Sequence, residues 1–179
     1  MTTLYPIGHS NRSLGDFLAL LQASGIQALA DIRQFTRSRA NPQFNADTFA
    51  TALADKGIAY EHIVSLGGRR SSKLEDSPNG FWEHPAFRAY ADYALTDAFE
   101  TGFARLLEMA SEKRTAMMCA EAVWWRCHRR IVSDYLLARG DIVLHIVSEA
   151  EPKPAMLTPG AVVRADGKVV YPPEKPALL

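Results

Sequence analysis

Three segments of the chain repeat one pattern, an amphipathic helix, then a glycine, then an apolar strand. They read LGDFLALLQASGIQALADI, DTFATALADKGIAYEHI and RRIVSDYLLARGDIVLHIV. Gly25, Gly57 and Gly140 stand where a helix ends in the left-handed conformation that glycine takes most readily. Ser13 and Asn45 are placed to cap the first two helices. A fourth helix, TDAFETGFARLLEMASEK, leads into the apolar run TAMMC. Helices alternating with strands predict βαβ units, hence an α/β fold with a mostly parallel sheet flanked by helices in three layers. Strands are expected near Leu4–Gly8, Ala28–Ile32, Tyr60–Val64, Thr115–Cys119 and Ile142–Val147.

The rest of the chain fits around this core. Its 179 residues are expected to form a single domain, 1–179. Residues 66–82 form a long polar loop without periodicity, a feature that is usually functional or disordered inside a compact domain. Residues 160–172 carry an Asp166-Gly167 turn between two β-rich runs and predict a small C-terminal hairpin appended to the sheet, joined by a proline-rich link. Strand order and oligomeric state are not legible.

Charge narrows the partners. Twenty basic and twenty acidic side chains balance, so no global field draws the chain to nucleic acid or to a membrane surface. No apolar stretch approaches the ~18 residues of a membrane span, and the expected location is cytoplasmic. The basic residues comprise 14 arginines and only 6 lysines. Arginine offers the planar fork that suits carboxylate and phosphate. Eight of the arginines fall into three groups, namely Arg33, Arg37 and Arg39; Arg69 and Arg70; and Arg126, Arg129 and Arg130.

All three groups follow predicted strands. Ligands of open parallel sheets bind beyond the carboxyl ends of the strands, so those ends nominate a site. The first strand delivers His9 and Ser10, and the second Asp31, Arg33 and Arg39. The third delivers Arg69 and Arg70, and the fourth Cys119, Glu121, Trp125, Arg126, Cys127, His128 and Arg129.

The stretch CAEAVWWRCHRR holds both cysteines. A helix starting near Trp125 would place Arg126, Arg129 and Arg130 against its macrodipole, at a cost of roughly 0.3–1 kcal/mol each. A bound anion would offset that strain. Arginines and a helix end also lower a thiol pKa, which makes Cys127 or Cys119 a candidate nucleophile with His9 or Glu121 moving protons. The alternative is a pair of small core residues.

Other assignments fit less well. Cys119 and Arg126 enclose six residues, one more than the loop of cysteine phosphatases, and tryptophans occupy positions where that loop needs small residues. A zinc site from Cys119, Cys127, His128 and His9 would lack the usual close cysteine pair, so no metal is expected. No glycine-rich dinucleotide or P-loop motif is present, and no cofactor is implied.

The motifs YPIGHSNRS, ADIRQFTRSRANPQFN, LGGRR, FRAYADYA, MMCAEAVWWRCHRRIVSDYLL and LTPGAVVRADGKVVYP together resemble the family catalogued as domain of unknown function 488. The resemblance implies a bacterial or archaeal cytosolic protein of α/β fold and supplies no reaction. Two functions remain in play. One is a thiol-dependent enzyme on an anionic small molecule or nucleic-acid component, held by Ser10, Asp31, Arg33, Arg39, Arg69, Arg70, Trp125, Arg126, His128 and Arg129. The other is a non-catalytic module binding nucleic acid or a phospho-ligand. A redox pair of Cys119 and Cys127 is a third possibility, and it requires sulfurs able to approach to about 2.05 Å.

Overall fold

A computed structural model describes residues 1–71 and 74–173. The order is β1 (Thr3–Gly8), α1 (Leu14–Ala23), β2 (Ala28–Asp31), α2 (Ala46–Ala54), β3 (Ala59–His62), α3 (Pro85–Tyr93), α4 (Asp97–Glu112), β4 (Thr115–Cys119), α5 (Arg129–Ala138) and β5 (Ile142–His145). Three two-residue strands follow, β6 (Lys153–Pro154), β7 (Val162–Val163) and β8 (Val169–Val170). The main sheet runs β3-β2-β4-β1-β5-β6, parallel except for the last pair.

Alternation along the strands makes the three layers. Tyr5, Ile7, Leu29, Ala116 and Met118 pack with α1 and α2 through Phe17, Leu21, Phe49 and Leu53. Their neighbours Leu4, Ala28, Ala30, Met117 and Cys119 face α3, α4 and α5 through Tyr90, Phe99, Leu106, Ile131 and Val132. Each side chain thus leaves water on the face its strand position dictates. The three predicted helix-ending glycines all have positive φ, at 65°, 71° and 83°. The Ser13 side chain caps α1 by accepting from Asp16 N–H. Asn45 precedes α2 but turns its carboxamide oxygen to Ser38 N–H instead.

Three details differ from the sequence expectation. The C-terminal hairpin forms around its Asp166-Gly167 turn, but β7 and β8 pair only with each other, not with the main sheet. The sheet is extended by Lys153–Pro154, from the stretch read as a link. Helix α5 begins at Arg129, because Trp124–Arg126 form a separate 3-10 turn.

The topology creates the crevice. Strands β1 and β4 are neighbours, with Gly8 opposite Cys119. The chain leaves β1 for α1 on one face and leaves β4 for α5 on the other. Their diverging loops open a cleft at the carboxyl edge, the switch point where such sheets bind ligands. Beyond the strands, His9 N–H still donates to the Cys119 carbonyl at 3.0 Å and Ser10 N–H to that of Ala120 at 2.8 Å. Ser10 holds this turn with φ at 50°, a left-handed conformation that costs a non-glycine residue energy.

Candidate functional site

The crevice is a pocket of about 760 Å³. Cys119 and Cys127 form part of its floor, with His128 beside them. Cys119 ends β4, and Cys127 joins the Trp124–Arg126 turn to α5. Two glycines make room for this floor. A Cβ on Gly68 would enter the His128 ring, and one on Gly8 would strike the Glu121 carbonyl and approach the Arg129 guanidinium to 2.9 Å.

The hydrogen bonds assign the histidine's tautomer. His128 Nε2 lies 2.9 Å from the Ile32 carbonyl, which can only accept, so Nε2 carries a proton. Nδ1 then turns its lone pair to Cys127 Sγ, 3.5 Å away. The backbone N–H of Arg129, the first residue of α5, donates to the same sulfur at 3.5 Å. Cys127 therefore meets a base, a donor and a helix N-terminus at once.

Arg129 is the unexpected element. Its side chain is 1% exposed, donates to the Glu121 and Ala122 carbonyls, and leaves Nε without a partner. No carboxylate pairs with it among the described residues. A buried cation needs a countercharge, and both sulfurs interact with this one. Burial alone pushes the Cys127 thiol up. The Cys119 S–H, His128 and Arg129 outweigh it and hold Cys127 well below the ordinary thiol range. Burial and the adjacent Cys127 sulfur push Cys119 well above that range. Of the two sulfurs, Cys127 is the one whose surroundings favour the thiolate.

His9, the expected proton shuttle, has both ring nitrogens engaged. Its Nδ1 donates to the Ser10 carbonyl at 2.7 Å, leaving Nε2 to accept from Arg33 at 3.3 Å, and its ring stacks on Phe44. Burial lowers its pKa, and Arg33 adds to the effect against the Ser10 carbonyl. The ring is a neutral spacer with both nitrogens in use. Asp31 and Arg33 form a buried ion pair beneath it, which Tyr60 joins by donating to the Asp31 carboxylate at 2.7 Å. Burial and that carboxylate push the Tyr60 phenol far up.

The remaining candidates divide between rim and scaffold. Arg69, Trp125 and Arg126 line the pocket with Arg37 and Phe35, and Arg69 lies over the Phe35 ring at 5.5 Å. Trp125 is exposed. Glu121 reaches the site through its carbonyl, which the Cys119 thiol approaches at 3.9 Å. Arg70 turns away to the Gly67 and Val64 carbonyls and the Tyr93 ring. Arg130 turns to Thr158 and Trp82. Arg39 is exposed outside the lining, and Ser10 supports the β1 loop.

Helix α3 supplies the wall that the sequence reading overlooked. Tyr90 packs edge-on to His128 with centroids 5.0 Å apart and donates to the Leu66 carbonyl at 2.7 Å. Phe87 and His84 stand above it. The spacing of Phe87, Tyr90 and Ala91 in FRAYADYA was the available signal.

The two sulfurs and a His128 nitrogen lie within 4.8 Å of one another, soft donors of the kind zinc accepts. Among the described residues three such donors meet, and the Arg129 guanidinium already places a positive charge against both sulfurs. The donor set fits a thiolate–guanidinium pair better than a divalent ion. Among the described residues no helix is long and apolar enough to cross a membrane.

Fold and floor together define an α/β protein with a cysteine–histidine–arginine cluster at the switch point of its sheet. The chain belongs to the family described as Domain of unknown function DUF488, which it matches over residues 13–136. That span includes Cys119, Cys127, His128 and Arg129, whereas His9, Ser10 and the C-terminal hairpin lie outside it. No curated protein and no solved structure matches the chain.

Proposed function

We propose that the pocket is the active site of a thiol-dependent enzyme, with Cys127 as nucleophile and an anionic, aromatic-bearing small molecule as substrate. The observation that carries this is the burial of Arg129 without a carboxylate partner among the described residues, because its charge calls for a thiolate at Cys127. A cysteine kept only for packing would stay protonated and would leave that cation uncompensated. His128 Nδ1 accepts the Cys127 proton, and the Ile32 carbonyl fixes the ring, the relation of nucleophile, base and orienting group common to covalent catalysis. Arg37, Arg69 and Arg126 at the rim meet the anion, and Trp125 and Phe35 offer faces on which a ring stacks. Net neutrality, and the turning of Arg70 and Arg130 away from the pocket among the described residues, count against a nucleic-acid strand as ligand.

The test is iodoacetamide labelling of the reduced protein across pH, read by peptide mapping. Cys127 is expected to label at pH values where an ordinary thiol is silent, while Cys119 stays unlabelled. Pyrophosphate is expected to slow labelling, and Arg126→Gln to weaken that protection. Labelling of neither cysteine until the protein unfolds would overturn the nucleophile. Unchanged rates with pyrophosphate would overturn the anion.

A further inference from the structure

The pocket floor contains two sulfurs, and covalent catalysis by Cys127 uses only one. Cys119 and Cys127 are the two cysteines of the chain, both are free, and their Sγ atoms lie within 4.8 Å of each other. Cys127 Sγ faces His128 Nδ1 and the Arg129 N–H, whereas Cys119 Sγ faces the Glu121 carbonyl, surroundings that suit an attacking and a resolving thiol. Both cysteines are buried but line the pocket, so a small hydroperoxide that enters it meets them.

We propose that Cys127 is a site of hydroperoxide oxidation and that Cys119 resolves the product, so that the pocket carries a reversible Cys119–Cys127 disulfide. The Cys127 thiolate attacks one peroxide oxygen and the O–O bond breaks. The second oxygen leaves as alkoxide or hydroxide and takes a proton from solvent, so Cys127 becomes a sulfenic acid. The Cys119 sulfur then attacks Cys127 Sγ as its own proton is released. The S–S bond forms, and the hydroxide that leaves combines with that proton as water. Two electrons pass from the thiols to the hydroperoxide, which ends as an alcohol or as water.

The surroundings permit this closure and make it reversible. The sulfurs must move to about 2.05 Å, and the intervening loop carries Glu121, Ala122, Trp125 and Arg126 on its exposed side, which gives that loop room to shift. Bonding consumes the thiolate and leaves Arg129 as a buried cation without its countercharge. That penalty falls on the oxidised form alone, which makes the bond easy to reduce, as regulatory disulfides are. Oxidation would silence the nucleophile, and reduction would restore it.

The inference rests on the thiolate of the proposed function but needs no substrate. Reduced protein, first treated with a chelator, is exposed to equimolar hydrogen peroxide and weighed intact without reductant. The expected product has lost two hydrogen atoms, joins the Cys119 and Cys127 peptides within one chain, and reverts with dithiothreitol. Cys119→Ser, or Cys119→Ala if the first folds poorly, is expected to gain one oxygen at Cys127, captured by dimedone. Added oxygen at Cys127 in the wild type without a link, a bond between chains, or an unchanged mass would overturn the proposal. Iodoacetamide separates the two failures. Labelling at low pH without disulfide formation removes the switch and keeps the nucleophile, whereas resistance to both reagents removes both.

Discussion

Asp31→Asn tests whether the site stands on a buried charge pair. Asp31 is fully buried and Arg33 is 5% exposed. Arg33 Nε donates to Oδ1 at 2.9 Å and to Oδ2 at 3.1 Å, NH2 donates to Oδ2 at 2.6 Å, and Tyr60 adds a fourth bond at 2.7 Å. Asparagine keeps the shape but replaces one oxygen with a donor that faces other donors. The guanidinium would retain the Phe44 carbonyl at 2.8 Å and His9 Nε2 at 3.3 Å, neither of which carries charge. Removing one partner of such a pair costs about 3–5 kcal/mol, a large share of the roughly 5–15 kcal/mol that holds a domain together. The assay is urea unfolding at pH 7, followed by Arg33→Met in the same background. The double variant no longer buries an unpaired cation and is expected to be more stable than Asp31→Asn alone. A loss below about 1 kcal/mol for Asp31→Asn, or a double variant weaker than the single, would refute the reasoning.

Two further predictions address the floor and its neighbours. Gly68→Ala places a methyl against His128, so the ring must leave the Ile32 carbonyl, and Cys127 labelling by iodoacetamide is expected to slow while the far-UV circular dichroism stays unchanged; an unaltered rate would mean that His128 does not activate Cys127. His145 stacks on Trp124 with neither ring nitrogen partnered, and burial, helped by Arg129, pushes its pKa down to about 4. The unfolded chain therefore takes up a proton near 6.5 that the folded chain refuses until about 4, so stability is present above that window and lost as pH falls through it. His145→Phe keeps the stack and is expected to gain on the wild type in urea midpoint as pH drops from 7 to 4.5. A constant gap would remove His145 from the acid sensitivity.

The fold was legible because its signals were local. The helix–glycine–strand segments carry their own periodicity and their own stops, and the five long strands fall within a few residues of where those signals place them. The hairpin turn was equally plain in Asp166-Gly167, but what the hairpin pairs with depends on contacts far away in sequence. Helix α3 was missed as an element because a proline-started helix of 9 residues is short and follows a long aperiodic loop. The order β3-β2-β4-β1-β5 has no local signature at all, since it follows from which faces α1 and α5 cover.

Much of the site was also legible as composition, but the roles inside it depended on burial. Sequence placed three arginines on the first turns of one helix and inferred an anion to offset them. The structure moves Arg126 onto a separate turn and Arg130 away to Trp82, which leaves Arg129 alone at the first position of α5. There Cys127 Sγ accepts the Arg129 N–H and interacts with its guanidinium. The helix start that the charge argument singled out meets a sulfur two residues before it. His9 and Glu121 meet the site in another way. Both were nominated for titratable side chains, yet His9 has both nitrogens occupied and Glu121 contributes a backbone carbonyl. A residue type announces what a side chain can do, but which neighbours it meets decides whether the side chain, the backbone or the charge is used.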